Sequence, residues 1–173
     1  QSHAPTVLGT RGEGVRPDVT TYLLHYPDEL FVIDPGPGIH LQNHLNAMNL
    51  PSAVRITVIL LTPGLTGPES LAVLEPLASS RRLVGDLPAL SGVGDTEQWE
   101  TLIATETRTP LSTGTDAPLV LLRLPAIEPA GSLLCYDPRS QTLFTGPLFG
   151  SIGTGISTDK PVLRRESVKA YTD

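Results

Sequence analysis

The run Ile56-Thr57-Val58-Ile59-Leu60-Leu61 breaks at once into Thr62-Pro63-Gly64-Leu65-Thr66-Gly67-Pro68. Consecutive β-branched and leucine residues need cover on both faces, which is the position of an inner strand in an α/β sheet. Pro68 suits the first turn of a following helix, where a missing N–H costs nothing. Thr66 or Gly67 would cap that helix, and Thr66-x-x-Glu69 has the spacing of a capping box. Open α/β sheets place their chemistry in the loop after such a strand. Here that loop contains no His, Asp, Cys or Lys.

Upstream, Gly9 to Asp18 is rich in glycine, but its spacing matches neither a P-loop nor a dinucleotide fingerprint. It reads as an irregular lead-in crossing the top of the sheet. Thr20 to Tyr26 is a strand, Pro27-Asp28-Glu29 turns it, and Leu30-Phe31-Val32-Ile33 returns as a hairpin. The return strand ends in Asp34-Pro35-Gly36-Pro37-Gly38, which makes a sharp shoulder. Asp34 is the best-placed acid of the chain, and its preferred role is to accept backbone N–H bonds from neighbouring loops. Ile39 to Met48 reads as an amphipathic helix with His40 and His44 on one face. Two such histidines can bind zinc only with further ligands, and the Glu that would follow the first is missing.

Beyond the central loop, a helix is expected over Glu69–Ala78, bent or ended by Pro76. A strand follows over Arg82–Gly85, then a loop from Asp86 to Gly94. A second helix, capped by Asp95 and Gln98, is expected to carry Trp99, Leu102 and Ile103. Thr105–Ala117 is a polar connector with short strand character. Three strands close the pattern, Leu119–Leu124, Ser132–Tyr136 and Thr142–Thr145, with Asp137-Pro138-Arg139-Ser140 turning the last hairpin.

At 173 residues with 39% apolar and 17% charged residues, the chain is read as one globular domain over 1–173. Residues 1–4 are set aside as a tag remnant or disordered start. Residues 151–173 form a tail with a short closing helix over Glu166–Tyr171, and ending there suggests a piece of something longer. A net charge of −6 without a long basic run argues against nucleic acid and anionic membranes as partners. No apolar stretch approaches the ~20 residues of a membrane span, and no signal-peptide pattern opens the chain. The single cysteine, Cys135, lies in an apolar run and reads as a small buried hydrophobe in a reducing compartment, so a cytoplasmic location is expected.

In this order the segments resemble the metallo-β-lactamase superfamily, and within it the β-lactamase-like domain of flavodiiron proteins. Thr21-Tyr22-Leu23-Leu24 with Leu30-Phe31-Val32-Ile33-Asp34-Pro35-Gly36 resembles the opening hairpin. Ile56 to Leu74 is similar to the strand, metal loop and helix that follow. Ser132 to Pro138 and Thr142 to Gly150 resemble the late hairpin and its exit loop. The resemblance spans about Thr20 to Gly150 and implies an α/β, or α+β, four-layer αββα sandwich reduced in size.

The same resemblance implies that the metal ligands are gone. The superfamily motif Thr-His-x-His/Glu-x-Asp-His is met by Thr62 followed by Pro63, Leu65, Gly67 and Pro68 in the ligand places. Glu128 stands where the next histidine falls, and Pro147 where the bridging aspartate falls. Leucine and proline side chains offer no lone pair, and proline lacks an N–H for an oxyanion hole. The loop is instead stiff, and suits a plug or a contact surface. The vestigial cleft is thus assigned to Asp34, Pro63, Leu65, Gly67, Pro68, Glu128 and Pro147, with no catalytic residue, metal or cofactor.

The favoured function is a metal-free pseudoenzyme acting as a protein-interaction or regulatory module, pairing with another chain or with itself. Two alternatives stay open. One is a metal-dependent hydrolase or flavodiiron-type oxidoreductase with a relocated site, drawing on His25, His40, His44, Asp34 and Glu128. The other is a small-ligand domain using the old cleft, with Arg11, Arg16 and Glu128 as polar contacts. Flavodiiron proteins also carry an FMN-binding flavodoxin domain, and no segment here fits one.

Overall fold

A computed structural model describes residues 6–9, 20–26, 28–36, 38–48, 50, 54–113, 118–124 and 133–146. Strands β1 (Thr6–Gly9), β2 (Thr20–His25), β3 (Glu29–Ile33), β4 (Val54–Leu60), β5 (Ala78–Gly85) and β6 (Glu100–Ile103) form one sheet in sequence order. Strands β7 (Arg108–Leu111), β8 (Leu119–Arg123), β9 (Leu133–Asp137) and β10 (Thr142–Phe144) form a second, in the order β10-β9-β8-β7. The first sheet opens with antiparallel pairs β1–β2 and β2–β3, then runs parallel from β3 to β6. The second sheet is antiparallel throughout.

The run at Ile56 behaves as its composition demands. Ile56, Val58 and Leu60 point to a core shared with Leu41 and Leu45 of helix α1 (Gly38–Ala47), and with Leu71 and Leu74 of helix α2 (Pro68–Leu74). Ile59 and Leu61 alternate to the other face, against Leu119, Leu121, Leu133 and Cys135 of the second sheet. The parallel strands are therefore covered on both sides, by helices and by a sheet. Val120 and Leu134 face away from the inter-sheet core and are also buried, at 6% and 7% exposure. The fold class is that of the expected α/β sandwich. The closing helix expected over Glu166–Tyr171 lies outside the described residues.

Four local expectations are corrected. Glu100–Ile103 is strand β6, not part of a helix begun at Asp95. Asp95 Oδ1 accepts from Glu97 N at 3.0 Å, and Trp99 N donates to Thr96 O at 2.8 Å, so the segment turns twice and emerges extended along β5. Trp99 enters the helix-side core, its indole N–H donating to Glu75 Oε1 at 3.3 Å. The Asp86–Gly94 loop holds a short helix α3 (Leu87–Ser91), capped by Asp86 Oδ1 accepting from Ala89 N at 2.9 Å. The capping box at Thr66 does not form: Gly67 is the N-cap and makes no side-chain cap bond. Pro76 does end the regular helix, which tightens into a 3₁₀ turn over Glu75–Leu77, and β5 begins at Ala78, earlier than expected. Among the described residues no helix is long and apolar enough to cross a membrane.

The two sheets are tied at one end by Asp137, which is buried. Its Oδ1 accepts from Tyr26 Oη at 3.2 Å and Arg139 N at 3.0 Å, and its Oδ2 from Ser140 Oγ at 2.6 Å. Burial, with the Asp137 charge beside it, pushes the Tyr26 phenol up to about 12. Arg139 stacks over the Tyr26 ring at 4.9 Å. Asp137→Ala unpins the turn and strands several polar groups, at a cost of about 2–4 kcal/mol. Tyr26→Phe removes one bond and costs about 1 kcal/mol. Urea denaturation of both variants checks this order, and a Tyr26→Phe cost as large as that of Asp137→Ala contradicts it.

Candidate functional site

The parallel strands β3 to β5 deliver their C-terminal ends to one edge of the first sheet. Asp34 follows β3, Leu61 and Thr62 follow β4, and Asp86 follows β5. Asp34 Oδ1 accepts from Leu61 N at 2.7 Å and Thr62 N at 3.0 Å, and Oδ2 accepts from Thr62 Oγ1 at 2.7 Å. The main chain at Asp34 turns back with φ of 48°, a left-handed conformation that Asp and Asn tolerate better than most side chains. Asp34 N itself donates to Ile59 O at 2.9 Å. The strand-tip acid thus plays the part its sequence position suggests, fastening one strand end to the next.

The shoulder is held by three more hydroxyls. Thr21 Oγ1 donates to Asp34 O at 2.9 Å and accepts from Gly36 N at 2.9 Å. Thr66 Oγ1 donates to Pro35 O at 3.0 Å, and Ser70 Oγ to Gly36 O at 2.6 Å. This explains the missing capping box, since Thr66 spends its hydroxyl on the shoulder rather than on helix α2. Gly146, just past β10, approaches so closely that a Cβ there would sit 2.9 Å from Leu61 Cβ. The exit of the second sheet therefore abuts the central strand at the same edge.

Pro63, Leu65 and Gly67 lie half-buried in the loop between β4 and α2, and Pro68 opens α2 and is exposed. Glu128, Pro147, Arg11 and Arg16 lie outside the described residues. His40 and His44 lie on helix α1. His25 pairs with Leu30 at the start of β3, whereas Asp34 follows its end, roughly 13 Å away along the strand. Its Nε2 is buried and, among the described residues, has no hydrogen-bond partner. Among the described residues, no three His, Cys, Asp or Glu side chains gather as metal ligands.

Among the described residues, the donors at this edge do not make up a metal site. Asp34 is the carboxylate of the shoulder, and both its oxygens already serve Leu61 and Thr62. The rest of the loop offers carbonyls and Thr hydroxyls, whereas a zinc site needs three or four N, S or carboxylate ligands. Burial pushes the Asp34 carboxyl above its ordinary value, and the bonds from Thr62 and Leu61 pull it partly back. Burial likewise pushes the Cys135 thiol up, which makes it inert and leaves it a core residue. Sequence reasoning missed Thr21, Thr62, Thr66 and Ser70 here. Their only signal is a hydroxyl near the ends of strands, or just before and in the first turn of α2.

The fold is similar to that of several solved structures. The chain matches a diflavin flavoprotein fragment from Nostoc sp. PCC 7120 with a TM-score of 0.60 and 24% identity, over 87% of this chain and 68% of that one. It matches the metal-soaked Flv1 flavodiiron core from Synechocystis sp. PCC6803 at the same TM-score and identity, over 80% of this chain but 36% of that one. MEM-A1, a subclass B3 metallo-β-lactamase from a soil metagenome library, aligns with a TM-score of 0.50 and 11% identity, over 79% of this chain and 56% of that one. No family model matches the sequence, and no curated protein does.

Asp34→Ala leaves the buried N–H of Leu61 and the Thr62 groups unsatisfied and should cost about 2–4 kcal/mol. Asp34→Asn keeps an acceptor and tolerates the positive φ, so it should lie within about 1 kcal/mol of wild type at pH 7. A raised folded-state pKa gives stability that is full below the ordinary value of 3.8 and lost as pH rises through the folded value. Asn therefore gains on Asp as pH increases across the acidic range. Urea midpoints between pH 3 and 7 measure it, and a gap moving the other way refutes the raised carboxyl.

Proposed function

Because this chain has the metallo-β-lactamase fold, and shares it with flavodiiron cores, we propose that it is a metal-free, non-catalytic version of that fold serving as a protein-interaction or regulatory module. One observation carries the reading. At the strand-end edge, the loop after the central strand is Thr62-Pro63-Gly64-Leu65-Thr66-Gly67-Pro68, and the adjoining acid is consumed in fastening the backbone. In that loop the expected donors give way to Pro63, Leu65, Gly67 and Pro68, none of which offers a side-chain lone pair, and no hydrolytic or redox step is assigned to the acids Asp34 and Glu128 alone.

An edge relieved of catalysis can serve as a contact surface. The loop presents Leu65 half-buried, and Leu87 of helix α3 is 64% exposed at the end of the neighbouring strand. Proline keeps this surface stiff, which lowers the entropy lost on docking. The partner proposed is another protein chain or a second copy of this one, in the cytoplasm. The acidic balance disfavours nucleic acid.

Elemental analysis of the chain purified without chelator, then dialysed against zinc and against ferrous iron, tests the reading. Less than about 0.1 metal per chain is expected for a site lacking three ligands. One or two tightly held metal ions per chain overturn it.

A further inference from the structure

At the starts of the parallel strands, far from Asp34, the inter-sheet face of the first sheet changes character. Toward the strand ends this face carries Phe31, Ile33, Ile59 and Val84, all in the inter-sheet core. Toward the starts, alternation puts Glu29, Arg55, Thr57, Ser80, Arg82 and Glu100 on the same face. Cross-strand register sets Glu29 beside Arg55, Arg55 beside Ser80, and Arg82 between Thr57 and Glu100. With Ser112, just after β7, they line a cavity of about 170 Å³. That is room for roughly five waters, below the roughly 300 Å³ at which pockets for drug-sized ligands begin.

The charges are graded by depth. The Glu29 side chain is 6% exposed and forms the floor, while Arg55 at 48%, Arg82 at 36% and Glu100 at 71% stand at the mouth. Glu29 Oε1 accepts from Thr57 Oγ1 at 2.6 Å, but its Oε2 lies 3.9 Å from Arg55 Nη2, too far for a hydrogen bond. Arg55 donates from Nε to Asp28 O at 3.3 Å, and Arg82 from Nε to Glu100 Oε2 at 3.4 Å. Among the described residues, the terminal nitrogens of both guanidinium groups have no hydrogen bond. Arg81, also at the wall, commits its fork to Gln98 Oε1 and Glu75 O.

We infer that this cavity binds a small zwitterion of the size of a free amino acid, its ammonium on Glu29 and its carboxylate on Arg55 and Arg82. Burying a carboxylate on a sheet face is costly unless the charge is paired, and Glu29 has an incomplete pair. An ammonium at the floor completes it, with the Thr57 hydroxyl alongside. The spare Arg nitrogens offer the planar forks that suit a carboxylate. A simple anion meets Glu29 and Glu100, and a simple cation meets Arg55 and Arg82, so only a molecule carrying both charges satisfies the lining. The site lies at the other end of the strands from the proline-rich loop and stands independently of the function proposed above.

The test is a thermal-shift series on the whole 173-residue chain, followed by calorimetry. Glycine and L-serine are the probes; acetate, methylammonium and inorganic phosphate are the comparisons at matched ionic strength. A rise in midpoint of at least about 2 °C with millimolar glycine or L-serine, but not with either half-molecule or phosphate, is expected. Arg82→Gln, at the half-exposed mouth, should bind at least about tenfold more weakly with an unchanged ligand-free midpoint. Glu29→Gln keeps an acceptor for Thr57 and should lose the response. No shift with either probe, an equal shift with acetate or phosphate, or full-strength binding by Arg82→Gln overturns the inference.

Discussion

A single carboxylate at the tip of β3 holds the strand-end edge together. Parallel strands share a sheet but not a turn, so their ends splay unless something ties them. Asp34 ties β3 to β4 by accepting from two successive backbone N–H groups and one hydroxyl. Its left-handed backbone then aims the chain into the Pro35–Gly36 shoulder, which Thr21, Thr66 and Ser70 fix from three different elements. Each of these bonds satisfies a group that would otherwise be buried alone. The edge is therefore rigid for structural reasons, and its acid has little capacity left for anything else.

The elements legible in the sequence were those whose pattern is set by their own burial. The β-branched and leucine run of β4 from Ile56 and the hairpin of β2 and β3 could be read directly, and so could the late strands. Their residues either alternate or fill a doubly covered strand. Pro76 also told the truth, because a missing N–H acts locally. What failed was decided by distant partners. Asp95 and Gln98 have the spacing of a helix start, but the open side of β5 captures Glu100–Ile103 as a strand instead. Thr66 has the spacing of a cap, but Pro35 O competes for its hydroxyl from 31 residues away. Helix α3 was hidden because five residues carry too few periodic positions to be seen.

The site was legible to a similar degree. That Asp34 would serve backbone amides followed from a carboxylate at a strand tip. That Thr62 would supply both an N–H and a hydroxyl to it required the register of β3 against β4. The polar strand starts were not legible at all. Glu29, Arg55 and Arg82 sit singly in sequence, spread over three strands, and only alternation combined with parallel pairing puts them on one face.

Strand β6 leaves the first sheet with a rim. It pairs with β5 on one side, and among the described residues nothing pairs with the other. All four of its residues are exposed, including Leu102 at 36% and Ile103 at 45%. Sheet edges of this kind carry unspent amide and carbonyl groups and act as templates for further strands. Shortness is one defence, and the charge of Glu100, held beside Arg82, is another. The seam is thus kept from templating further strands by its length of four residues and by a charge at its start.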